Sequence, residues 1–129
     1  MPQAVSKVDK VQRWIILPEL AWAAGFFDGE GTIACSFSHR KTSRDGGNRT
    51  LQIQIGQTDP FVLRRFQKAV GGLGVVYGPY SRPNGRAKKI WFWSVANFEH
   101  VQAVVAMLWK FLSPIKRQQA FLALQKVRG

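Results

Sequence analysis

Cysteine is almost absent from this chain, with Cys35 the only one among 129 residues. An intrachain disulfide is therefore excluded, and the Cys/His spacing of a structural zinc site is also missing. No apolar run is long enough to predict a segment that crosses a membrane. The fold must be held together by its hydrophobic core.

Acidic residues are scarce as well. The sequence has 7 Asp and Glu against 19 Lys and Arg, which gives a formal net charge of +12. Such an excess attracts polyanions, and it favours nucleic acid as the partner because each phosphate that is neutralised releases counterions. The alternative is a soluble protein that is merely basic. A membrane surface fits less well, since the basic residues do not line one amphipathic helix.

The chain begins MPQAVSKVDK, which lacks the apolar segment of a signal peptide. We therefore expect an intracellular location, either the cytoplasm of a prokaryote or an organelle. Hydrophobic residues make up 46% of the sequence and charged residues 20%, a balance typical of globular proteins. We predict a single domain over residues 1–129, in which residues 1–12 form a flexible arm.

Local patterns in the first half predict a helix followed by two strands. Proline and glutamate after Leu17 indicate a helix from about 17 to 27, ended by Gly29 and Gly31. Apolar and polar residues then alternate from Thr32 and again over 50–55, as expected for half-buried strands. The polar loop between these strands carries several basic residues.

The second half repeats this pattern. Asp59 and a following proline predict the start of a helix over about 61–70, and a hairpin is predicted from 75–80 and 89–95. Asn97 caps a helix over 98–112, and a last helix starts at Ser113. The strand IWFW is apolar on both faces, so its buried side stays open. The order α-β-β-α-β-β-α-α predicts an α+β domain with an antiparallel sheet and helices on its other face.

One face of the predicted sheet is polar and has a basic rim. Such a surface could contact base edges in a major groove while its rim contacts phosphates. An ordinary solvated sheet face is the alternative. The residues predicted to bind DNA are Thr32, Ser36, Ser38, Arg40, Lys41, Arg44, Arg49, Gln52, Gln54, Arg82, Arg86, Lys88 and Lys89.

The stretch AAGFFDGEG places two carboxylates, Asp28 and Glu30, at the end of the first helix. A single carboxylate is a poor Mg²⁺ site, but two copies of Glu30 brought together by a dimer would be a good one when substrate phosphates complete the coordination. The alternative is that Asp28 caps a turn and Glu30 is solvated. The predicted dimer contact is a stripe of small residues and Asp28, namely Ala21, Ala24, Gly25 and Asp28.

AAGFFDGEG resembles the LAGLIDADG signature of homing endonucleases, and the resemblance extends over about residues 18–127. Ala23 replaces the leading leucine, and Glu30 replaces the aspartate at the metal position. The resemblance implies the family's α-β-β-α-β-β-α fold. It also implies a Mg²⁺-dependent endonuclease that acts as a homodimer on a long, nearly palindromic site in double-stranded DNA. We expect an intron-encoded protein because the chain is short and free-standing, and an intein origin is the alternative.

Roles for individual residues follow from the same resemblance. Glu30 matches the metal ligand, Gln57 a polar residue that orders water, and Lys116 a basic residue that stabilises charge near the scissile phosphate. Arg64 or Arg65 could share the last role. The main rival hypothesis is a non-cleaving binder on the same scaffold, either an intron RNA maturase or a DNA-binding regulator. A small RNA-binding protein is a more distant alternative.

Overall fold

The structure is a computed structural model that describes residues 16–38, 48–81 and 88–128. Its elements follow the order that the sequence predicts, which confirms the α+β class. They are α1 (Leu17–Glu30), β1 (Gly31–Ser38), β2 (Asn48–Gln57), α2 (Pro60–Ala69), β3 (Val75–Tyr80), β4 (Ile90–Val95), α3 (Phe98–Leu108), a 3₁₀ turn (Trp109–Phe111) and α4 (Pro114–Arg128).

The first helix is longer than predicted. It does not stop near Phe27 but continues to Glu30, so Gly29 lies inside the helix and only Gly31 ends it. Gly31 is already extended, with φ −80° and ψ 146°, and it starts β1 directly. An internal glycine costs a helix about 1 kcal/mol relative to alanine. Packing of the buried face of α1, formed by Leu20, Ala23, Ala24 and Phe27, offsets that cost.

The four strands form one antiparallel sheet in the order β1-β2-β4-β3. Strands β1 and β2 pair as the predicted hairpin, with Gly31 opposite Ile55. Strand β4 then pairs with the other edge of β2, with Gln57 opposite Trp91. This register places the end of α1 beside the end of β2.

Burial decides which face of each strand meets the helices. Ile53 and Ile55 of β2 and Trp93 of β4 are completely buried. The Trp93 indole donates a hydrogen bond to the carbonyl oxygen of Leu73 at 3.0 Å. Gly74 adopts a φ of +87°, and a side chain there would collide with that indole. The ambiguity of IWFW is thereby resolved, because alternation from Trp93 places Phe92 on the opposite, outer face.

Helix ends follow the predicted capping at two positions. The Asp59 side chain accepts the Phe61 N–H at 2.9 Å, and the Asn97 side chain accepts the His100 N–H at 3.2 Å. The third helix is shorter than the predicted 98–112, because its last turn tightens into the 3₁₀ turn and Leu112 is extended. A new helix can then start at Pro114.

Candidate active site

Glu30 is the last residue of α1, and its side chain is exposed. The carboxyl end of a helix carries a partial negative charge from unpaired carbonyl groups. Within α1 itself, the last turn contains no basic residue to neutralise it. In a chain with a net charge of +12, this helix end is therefore a local site that favours a cation.

Lys116 lies next to this helix end although it is 85 residues further along the chain than Gly31. Its Nζ donates a hydrogen bond to the Gly31 carbonyl oxygen at 2.8 Å and lies 5.6 Å from the centroid of the Phe27 ring. The Phe27 ring also fills the space beside Gly31, since an added Cβ there would lie 2.3 Å from a ring carbon. The final glycine of the motif is therefore required by the close approach of the Phe27 ring to the backbone.

Asp28 fixes the start of the helix that carries Lys116. Both of its carboxylate oxygens accept the Ser113 backbone N–H, each at 3.1 Å. The Ser113 hydroxyl oxygen in turn accepts the backbone N–H of Lys116 at 3.2 Å. Asp28 was predicted to lie in a dimer contact, but its carboxylate is bound inside the protomer. Through this carboxylate, Asp28 links the start of α4 to the end of α1.

Gln57 is the last residue of β2 and is half-buried. By strand alternation it shares a face with Ile55, which is the face that carries the helices. Because Ile55 pairs with Gly31, Gln57 lies two residues beyond that pair, level with the end of α1. Glu30 at the end of α1, Lys116 beside Gly31 and Gln57 at the end of β2 therefore lie at the same end of the sheet.

Arg65 is not at the end of α1 but is bound to Glu19 near the start of that helix. Its guanidinium donates to both carboxylate oxygens of Glu19, at 2.9 and 3.0 Å, and lies 3.8 Å from the Trp22 ring centroid. The hydrogen bond from Arg65 lowers the pKa of Glu19 below its ordinary value. Glu19 is eleven residues before Glu30 in the same helix, a separation of about 16 Å. The hypothesis that Arg65 stabilises charge at the site is therefore wrong. Arg64 is exposed on α2.

The predicted stripe of small residues is only partly on the surface. Ala24 is completely buried in the protomer core, so its inclusion in a dimer contact was wrong. Ala21 is half-buried and Gly25 is exposed. A Cβ built on Gly25 or on Gly29 would meet no atom within 4 Å. The accessible stripe consists of Ala21, Gly25 and Gly29, each four residues apart.

The outer face of the sheet carries the predicted polar residues of β1 and β2. Thr32 pairs with Gln54, and both lie opposite the buried face. Gln54 donates through its amide nitrogen to the Tyr77 hydroxyl at 3.0 Å. Tyr77 was not among the residues predicted to bind DNA, and only the order of the strands reveals that it shares this face. Gln52 also lies here, and Lys88 and Lys89 are exposed just before β4.

Several predicted DNA contacts cannot be placed. Ser36, Ser38 and Arg49 lie on strands β1 and β2, but their side chains lie outside the described part of the structure. The loop residues Arg40, Lys41, Arg44, Arg82 and Arg86 and the predicted arm over 1–12 lie wholly outside it. Their roles stay predictions.

The described residues contain neither a metal-binding cluster nor a membrane-spanning helix. Over 16–38, 48–81 and 88–128, no group of three or more His, Cys, Asp or Glu side chains is arranged to hold a metal ion. In the same ranges, every helix is too short or too polar to span a bilayer.

Several solved structures with a similar fold are homing endonucleases. The chain is 27% identical to the homing endonuclease I-CvuI, solved in complex with the I-CreI target in the presence of Mg with the DNA not cleaved, at a TM-score of 0.71. The match covers 87% of this chain and 67% of that one. A second similar structure is I-TnaI, at 24% identity and a TM-score of 0.63, covering 84% of this chain and 68% of that one.

Group I intron-encoded I-CeuI, complexed with DNA, shares the fold at 16% identity and a TM-score of 0.66. That match covers 82% of this chain and 52% of the I-CeuI chain. A search of the curated proteins found no significant match. The family profile described as LAGLIDADG endonuclease matches residues 23–127, from the motif helix to the end of α4. The chain therefore belongs to the LAGLIDADG endonuclease family.

Proposed function

We propose that this protein is a site-specific homing endonuclease that hydrolyses phosphodiesters in both strands of a long, nearly palindromic DNA site, acting as a homodimer with Mg²⁺. The observation that carries the proposal is the hydrogen bond that places Lys116 beside the end of α1, where Glu30 lies, with Gln57 level with this end in the strand register. The Lys116 Nζ, which comes from the last helix, lies 2.8 Å from the carbonyl oxygen of Gly31, the residue after Glu30. A protein that only binds nucleic acid needs none of these three side chains.

The residues at the end of α1 fit a magnesium ion. Mg²⁺ is bound in proteins through one or two carboxylates, with substrate phosphates and water as the other ligands. Glu30 offers an exposed carboxylate at the negative end of a helix. Because the described residues provide no larger cluster of ligands, a second carboxylate would come from the partner protomer. When bound, the ion would supply Lewis acidity at the scissile phosphate.

Each of the other two side chains has a role that its chemistry allows. The Lys116 ammonium adds a positive charge close to where negative charge develops on the phosphate, and its fixed position avoids reorganisation during the reaction. The Gln57 amide can both donate and accept a hydrogen bond, so it can orient an attacking water. Asp28 is assigned a positioning role, because both of its carboxylate oxygens bind the start of α4.

The accessible stripe of Ala21, Gly25 and Gly29 supports the dimer. The two glycines are not required by packing within the protomer, because a side chain at either position would meet open space. Small residues let two helix backbones approach closely, and a two-fold axis along these helices would bring both Glu30 residues beside it. Sedimentation of Gly25→Glu tests this arrangement. We expect a monomer where the unmodified protein is a dimer, and a monomeric unmodified protein on and off DNA would contradict the model.

The activity is tested by selecting cleaved products from a randomised duplex library with Mg²⁺ present. Two matched variants each replace one exposed glutamate by a neutral glutamine. Glu30→Gln changes the proposed site, and Glu99→Gln, in the first turn of α3, is the control. We expect Glu30→Gln to abolish cleavage while DNA binding persists, and Glu99→Gln to cleave normally. Cleavage retained by Glu30→Gln would refute the catalytic assignment. Sequence-specific binding without cleavage by the unmodified protein would instead indicate a regulator or a maturase.

A further inference from the structure

The outer face of strands β3 and β4 is mostly apolar, with Ser94 as the polar exception in β4, unlike that of β1 and β2. We call it the aromatic patch, and it consists of Val75, Tyr77, Tyr80, Ile90 and Phe92. Val75 is 61% exposed and Tyr80 is 50% exposed. The three rings pack against one another, with centroids 5.7 Å apart for Tyr77 and Phe92 and 6.0 Å apart for Tyr80 and each of the other two.

The aromatic patch is continuous with the polar part of the sheet face. Tyr77 is opposite Phe92 in the pairing of β3 and β4. The hydrogen bond from Gln54 to the Tyr77 hydroxyl spans β4 and joins the patch to β2. It also commits one amide hydrogen of Gln54 to the protein. The two halves of the outer face therefore form one surface with two chemistries.

The aromatic patch is not needed for the core. Trp93 and Val95 of β4 face the helices and are buried there, at 0% and 6% exposure. Apolar side chains gathered on an exposed surface generally mark a binding site. The partner must also suit a strongly basic chain, because Lys88 and Lys89 are exposed directly before β4. The partner must therefore offer both an apolar group and negative charge. A DNA major groove offers both, because phosphates line it and one of its base edges carries an apolar group.

That apolar group is the 5-methyl of thymine, the only methyl among the base edges of the unmodified major groove. We propose that strands β3 and β4 recognise thymine through apolar contact between the aromatic patch and this methyl group, whereas β1 and β2 recognise bases through hydrogen bonds. The inference rests on the proposed function, because it assumes that the outer sheet face lies in the groove. Beyond that function, the inference predicts that each half-site contains thymine where it contacts the aromatic patch.

The expected effect follows from the size of one methyl group. Its removal from an apolar contact costs about 0.8 kcal/mol, which corresponds to a loss of affinity of about fourfold. Two symmetric half-sites give a loss of about fifteenfold when both methyl groups are removed. Changes of this size are readily measured by titration of labelled duplexes.

The experiment replaces each thymine of the selected site with deoxyuridine, which lacks only the methyl group. At the positions under the aromatic patch, we expect deoxyuridine to weaken binding about fourfold. At all other positions, we expect the affinity to stay unchanged. Replacing the same thymine with 5-methylcytosine, paired to guanine, should retain more affinity than cytosine does. Tyr80→Ser, a change at a half-exposed position, should remove the sensitivity to deoxyuridine. Gln52→Ala on the polar half should keep it.

The outcomes separate this inference from the proposed function. If the protein selects a duplex site but deoxyuridine has no effect at any position, the thymine contact is refuted and the endonuclease proposal stands. If Tyr80→Ser stays as sensitive as the unmodified protein, the aromatic patch is not the reader and the inference also fails. If no duplex site is selected at all, both proposals fall.

Discussion

Removing the Asp28 carboxylate should destabilise the fold and impair cleavage together. In Asp28→Ala the Ser113 N–H loses its only partner among the described hydrogen bonds, and that bond is partly buried. An unsatisfied donor of this kind costs about 1–3 kcal/mol. We therefore expect a loss of about 1–2 kcal/mol in the free energy of unfolding.

Asp59→Ala is the matched control, since it removes an aspartate that also accepts one backbone N–H at a helix start, but in an exposed position. Water can replace that acceptor, so the expected loss is about 0.5–1 kcal/mol. Asp28→Asn keeps one acceptor oxygen and should fall between unmodified protein and Asp28→Ala. Urea unfolding measures these differences. If Asp28→Ala loses no more stability than Asp59→Ala, the reasoning from burial is wrong.

The cleavage assay distinguishes positioning from simple destabilisation. Asp28 acts on Lys116 through Ser113, so Asp28→Ala should slow single-turnover cleavage at saturating protein while the affinity for DNA changes little. Asp59→Ala should cleave at the unmodified rate at a temperature where both variants are folded. Equal rates for the two variants would show that the bond from Asp28 does not position Lys116.

Two further changes test other parts of the structure. Gly31→Ala places a methyl group against the buried Phe27 ring, so we expect a loss of about 1–3 kcal/mol in urea unfolding, whereas Gly29→Ala, with open space at its Cβ, should not destabilise the fold. Unchanged stability in Gly31→Ala would refute this packing. Because Arg65 lowers the pKa of Glu19 from its ordinary 4.5, the carboxylate stabilises the fold above that pH and loses the effect as pH falls through its lowered pKa. The stability difference from Glu19→Gln, measured by urea midpoints, should therefore shrink in acid and in high salt. A difference that is the same at pH 7 and pH 3 would contradict the ion pair.

Local sequence patterns predicted most of the secondary structure. Alternation over β1 and β2 identified the buried face correctly, because the side-chain period of a strand is fixed by its backbone. Asp59 and Asn97 were identified as caps because a helix start leaves N–H groups that a neighbouring side chain can satisfy. The motif and the element order were sufficient to identify the family, as the matched profile over residues 23–127 confirms.

Contacts between distant parts of the chain could not be predicted in this way. The end of α1 was placed too early, because glycine inside a helix carries a small penalty that packing against the core overrides. Ala24 was assigned to the surface because helical spacing fixes which residues share a face but not which way that face points. The buried side of IWFW depended on the partners of β4, which lie on β2 and β3.

The sequence by itself determined the order of helices and strands, the polar face of the first hairpin and the acidic motif, since each depends on residues within a few positions of one another. Only the tertiary structure decided that Lys116 reaches Gly31, that Asp28 holds Ser113 and that Tyr77 meets Gln54. These contacts join residues 23 to 85 positions apart. Such pairs form only when the whole core is packed, because the free energy that closes their loops comes from burial elsewhere in the fold.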